Sequence, residues 1–125
     1  MKTQGEIEAA VCAGISCFEQ ELRGRGPKEI RAYLLGDFLV VRLQGLLTPA
    51  EQQPAKSPYD KGRDLLKQVR TQLIESAKPL LQALVQGITG VQVVSLHHDI
   101  STVTGEALFT FTLAESPVYR EAKKK

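Results

Sequence analysis

The sharpest group of chemistry-bearing side chains in this sequence is Leu96-His97-His98-Asp99, two imidazoles and a carboxylate behind an apolar residue. At a strand end, period-two alternation sends His97 and Asp99 to one side and His98 to the other. His97 with Asp99 suits a weak divalent-metal pair, or a general base with its orienting carboxylate. Metal sites take three or four protein ligands, however, and no third ligand stands at a diagnostic spacing. The plainer alternative is a hydrogen-bonded histidine beside an aspartate that caps local amides. The stretch that follows, Asp99-Ile100-Ser101-Thr102-Val103-Thr104-Gly105-Glu106, packs hydroxyls and carboxylates into a strand connection. Such a turn could hold a small oxyanion or a cation, or simply join two strands.

Arg23, Arg25, Lys28 and Arg31 cluster where a helix should give way to a strand. They could draw in an anion, and they equally suit the negative end of a helix dipole. Cys12 and Cys17 are five apart, about 140° around a helix, which is poor geometry for a disulfide or a shared metal. Both read as small core residues. No phosphate loop, nucleophile elbow or dinucleotide fingerprint occurs in the chain.

Charge narrows the classes further. Sixteen Lys and Arg against fourteen Asp and Glu give +2, too near neutral for a protein whose affinity comes from neutralising many phosphates, so no nucleic acid is expected as a partner. Lys123, Lys124 and Lys125 read as a solvated tail. Met1 to Glu6 contains no apolar signal core, and no run approaches the ~18 apolar residues of a membrane span. These features predict a cytoplasmic protein.

The elements that must position these groups follow from periodicity. Ile7, Val11, Ile15, Phe18 and Leu22 mark one stripe of a helix from Thr3 to Arg23, with the glutamates on its solvent side and Gly24-Arg25-Gly26-Pro27 as its stop. Two β-like runs around Gly36-Asp37 predict a hairpin over 28–45. Thr48, Pro49 and Glu51 read as the start of a short helix over 48–60, cut short by Pro54 and Pro58, with a mobile loop from Gln53 to Asp60. The longest helix, 61–88, carries Leu66, Val69, Leu73, Ala77, Leu80 and Leu84 on one stripe, widened by Leu65, Ile74, Leu81, Val85 and Ile88. Lys67, Arg70 and Lys78 are expected on its solvated face, and Pro79 should bend or break it. A second hairpin over 91–113 and a tail over 114–125 complete the chain.

This order predicts a single α+β domain over 1–125, αββαββ, with a four-stranded antiparallel sheet and helices packed on one face. The first hairpin is apolar on both sides and the long helix over more than half its circumference. Burial of both faces, and so a homodimer, is favoured.

Gly24 to Lys28, Leu39 to Glu51 and Ser95 to Glu106, together with the Gly62 to Pro79 helix and Phe111-Thr112-Leu113, resemble the MpsC-like family, long described as a domain of unknown function. The family takes its name from a component of a bacterial Na+-translocating, membrane-potential-generating system associated with inorganic-carbon uptake. The resemblance implies a non-enzymatic accessory or regulatory subunit without a cofactor, touching a membrane transport complex from the inner face of the membrane. It carries over no catalytic residue. Family-like Arg25, Pro27, Arg42, His97, Asp99, Ser101, Thr102 and Glu106 are candidate contacts with a ligand or partner. The alternative is a small-ligand or metal-binding module, or a hydrolase, built on the His97 and Asp99 turn.

Overall fold

The fold is described from a computed structural model over residues 2–24, 26–46, 60–101 and 104–119. The short helix and loop expected over 48–60 fall almost wholly outside these residues, as do Arg25, Thr102 and the end of the tail.

Helix α1 (Gln4–Arg23) starts on a reciprocal cap. Glu6 N donates to Thr3 Oγ1 at 3.2 Å and Thr3 N to Glu6 Oε1 at 3.0 Å, satisfying two donors that a helix start leaves open. It ends at Gly24, whose φ of 81° is open to glycine and strained for other residues. Strands β1 (Glu29–Leu35) and β2 (Phe38–Gln44) form the first hairpin, turning on Gly36 and Asp37. Helix α2 (Asp60–Thr89) leads to β3 (Val93–Ile100) and β4 (Ala107–Leu113). The sheet order is β1-β2-β4-β3, antiparallel throughout. The two αββ halves therefore join along β2 and β4, and each half contributes one edge strand.

Alternation decides which residues meet the helices. Ala32, Leu34, Leu39, Val41, Leu43, Leu96, Ile100, Ala107, Phe109, Phe111 and Leu113 point inward and are buried beneath Ile7, Val11, Ile15 and Phe18 of α1 and Ile74, Leu81 and Val85 of α2. Helix α1 lies on β1, α2 lies on β3, and the helices pack against each other. Gly14 permits that approach: a Cβ there would stand 2.8 Å from Leu84 Cδ1. The α+β architecture thus matches the sequence reading.

Several finer expectations need correction. Helix α2 does not break at Pro79 but runs through it. Its buried stripe is rotated from the expected one. Leu65, Val69, Leu73 and Leu80 are exposed, whereas Arg70 shares the inward face with Ile74 and Leu81. Arg70 does not belong to the solvated face: it meets Glu19 of α1, which is fully buried rather than on the helix's outer side. Cys17 is exposed and Cys12 only half-buried, so neither is a full core residue. Burial, reinforced by the charge of Glu8, pushes the Cys12 thiol up, away from thiolate chemistry.

The two sheet edges are treated differently. In β1 Leu34, like Ile30 and Ala32, turns its amide and carbonyl outward. Gln4 Nε2 donates to Leu34 O at 2.7 Å, and Leu34 N donates to Glu8 Oε2 at 2.8 Å. Side chains one helical turn apart on α1 therefore cap the Leu34 end of this edge, a recognised protection against strand pairing.

Candidate functional site

The sheet face turned away from the helices gathers most of the sequence-predicted contacts. Strand register sets it out in rows. Leu35, Phe38, Thr112 and Ser95 form one row, followed by Tyr33, Val40, Thr110 and His97, and then by Arg31, Arg42, Leu108 and Asp99. Leu35 is 62% exposed, with Tyr33 and Phe38 also open to solvent, so one end of the face is apolar, while exposed Leu108 stands in the row of Arg31 and Arg42.

The other end is charged but balanced. Arg42 Nε and Nη2 both lie 2.8 Å from Glu106 Oε2, and Arg31 Nε lies 2.9 Å from Glu29 Oε1. With its amide oriented to suit its neighbours, Gln44 joins the two pairs: its oxygen accepts from Arg42 Nη2 at 2.8 Å and its nitrogen donates to Glu29 Oε2 at 2.9 Å. Arg42 and Glu106, 64 residues apart, are thus brought together, a pairing that sequence spacing does not reveal.

His97 and Asp99 share this face as alternation predicts, beside a shallow depression of about 150 Å³ lined by His97, His98, Asp99, Leu108 and Thr110. Asp99 is engaged locally. Its Oδ1 accepts from Ile100 N at 2.8 Å and stands 3.5 Å from Lys67 Nζ. Among the described residues no third His, Cys, Asp or Glu joins them in a metal-binding group, so the hydrolase alternative has no support here. His98 points the other way, and its Nε2 lies 2.9 Å from Glu75 Oε2 on α2. The hydrogen bond from His98, with Lys78 adding to it, holds the Glu75 carboxyl below the usual carboxylate range.

The turn hydroxyls are similarly committed. Ser101 Oγ accepts from Thr104 N at 3.3 Å and Thr104 Oγ1 from Glu106 N at 3.2 Å, while Ser101 N donates to Glu106 O at 2.8 Å. The Ser101 and Thr104 hydroxyl oxygens thus accept from the connection's own backbone. Pro27 lies between α1 and β1, half-buried. Taken together, the face offers apolar area beside neutralised charge, a composition suited to contacting another protein.

Comparison with known proteins places the chain in a family. The family described as the Na+-translocating membrane potential-generating system (MpsC) matches residues 3–115. The chain belongs to the MpsC family. A relative, the uncharacterized protein YbcI of Bacillus subtilis (strain 168), is 37% identical over 112 residues, covering 90% of this chain and 89% of its own length. No solved structure matches. Among the described residues no helix is long and apolar enough to cross a membrane.

The Arg70 and Glu19 pair is what sequence reasoning missed near this sheet. Arg70 Nη1 donates to Glu19 Oε2 at 2.9 Å, Nη2 donates to the other oxygen, and the guanidinium carbon lies 5.6 Å from the Phe109 ring centroid. The available signal was Arg70 four residues before Ile74, on the same helical face.

Proposed function

We infer that this chain is a non-enzymatic accessory or regulatory subunit of a cation-translocating membrane system linked to bicarbonate uptake. It works as a homodimer in the cytoplasm and docks on the inner face of the membrane through a protein partner. The observation that carries the reading is MpsC family membership across residues 3–115. The uncovered sheet face supports it, because exposed Leu35, Phe38 and Tyr33 beside the Arg42 and Glu106 pair supply a contact surface.

The test is co-purification of the tagged chain from membranes in several mild detergents. The expected result is retention of a cation-translocating membrane complex. Arg42→Glu, which reverses the charge of this face, should lower retention at least about tenfold while costing no more than about 1 kcal/mol of stability, the scale of a surface ion pair. Absence of any membrane partner under all conditions overturns the reading.

A further inference from the structure

The unequal treatment of the two edges points to a specific surface. Ser101 N bonds Glu106 O across the β3–β4 ladder, so alternation turns the N–H and C=O of Leu96 and His98 outward, away from β4. On β1 the matching groups of Leu34 are met by Gln4 and Glu8. On β3 the carboxylate that α2 presents, Glu75, is taken by the His98 imidazole, and among the described residues no side chain meets the outward groups of Leu96 or His98. The free stretch is bounded. Asp99 caps the outward N–H of Ile100, and an irregularity between Val93 and Ser95 ends the regular edge on the other side.

We propose that β3 pairs antiparallel with β3 of a second copy, about a two-fold axis at His97, to give a continuous eight-stranded sheet. The proposal rests on the homodimer reading above and names its surface. In that register Leu96 faces His98 of the partner and the reverse, so two outward N–H and two outward C=O groups from each copy make four backbone hydrogen bonds. Ser95 faces the partner's Asp99, a hydroxyl opposite a carboxylate. A second copy fits better than an unrelated strand because the adjoining flank of α2 complements itself. Glu75 and Lys78, already 3.0 Å apart, lie beside the axis, and antiparallel α2 helices set each Glu75 near the partner's Lys78 in an alternating array.

His97 supplies the test, since its side chain is exposed and makes no hydrogen bond or ion pair among the described residues, leaving the fold indifferent to its replacement. About the axis the two His97 residues form a non-hydrogen-bonded pair with Cα atoms about 4.5 Å apart, within disulfide reach. In a Cys17→Ser background, His97→Cys should oxidise to a covalent dimer, whereas Val40→Cys on the same face should not. His97→Lys should raise the dimer dissociation constant at least about tenfold in sedimentation, because like charges meet directly. A wild-type dimer whose His97→Cys form stays uncrosslinked overturns the β3 surface while leaving the homodimer reading intact. A wild-type monomer at all concentrations overturns both.

Discussion

The buried Arg70 and Glu19 pair gives the most decisive test of how the helix layer is held together. The side chains are 7% and 0% exposed, and the guanidinium is bonded by both ends to the carboxylate while its face rests on Phe109. Removing one partner abandons a charge in the interior, which costs about 3–5 kcal/mol. Arg70→Ala also forfeits the contact with Phe109, worth about 0.5–2 kcal/mol. Against a total stability of about 5–15 kcal/mol, either truncation should lower the melting temperature by about 10–20 °C. Urea denaturation of Glu19→Ala, Arg70→Ala and the double variant forms a cycle. The double variant should cost at least about 2 kcal/mol less than the two singles combined, because the second truncation removes a charge already stranded. Glu19→Leu with Arg70→Met, which fills the space with apolar atoms, should fall near wild type or above it. Lys67→Ala, on the same helix but half-exposed, should cost under about 1 kcal/mol. Single truncations below about 1 kcal/mol, or additive effects, would refute the buried-pair argument.

Two further outcomes follow from specific contacts. Glu8→Ala removes the acceptor of the Leu34 amide and should cost about 1–2 kcal/mol by denaturation while increasing aggregation, since it reopens the β1 edge; unchanged stability and solubility together would count against edge closure. Because the folded-state pKa of Glu75 is depressed by His98, its contribution is present above the ordinary glutamate range and is lost as pH falls through the folded value. A carboxyl NMR titration should find the Glu75 midpoint below that of an ordinary glutamate, with His98→Ala moving it upward; an ordinary midpoint in wild type contradicts the contact.

How much was legible in the sequence depended on whether one period or several were consistent with the residues. Helix α1 has a single apolar stripe and a cap written in Thr3, Glu6 and Gly24, so its ends and its apolar stripe follow directly, whereas buried Glu19 does not. Strand alternation likewise separates His97 from His98. Helix α2 is apolar over so wide an arc that its sequence does not say which part turns inward. The true direction is set by Gly14 meeting Leu84 and Glu19 meeting Arg70, contacts made with another element. Arg42 with Glu106 was beyond reach for the same reason: the two strands that present them pair only after the halves associate.

The same pairings narrow what the open face can recognise. Arg31 and Arg42 are cations of that face, and each lies 2.8–2.9 Å from a carboxylate of its own chain. An arriving anion such as bicarbonate would compete with Glu29 and Glu106 at those positions, and the Ser101 and Thr104 hydroxyls beside them already serve their own turn. Recognition of a small anion here would have to displace a carboxylate from one of these guanidinium groups. Leu35 and Phe38 are exposed apolar side chains of this face, and contact with another protein would remove them from water. Under the proposed function, a link to inorganic carbon would reach this chain through the partner that carries the ion, with the sheet face as the contact to test.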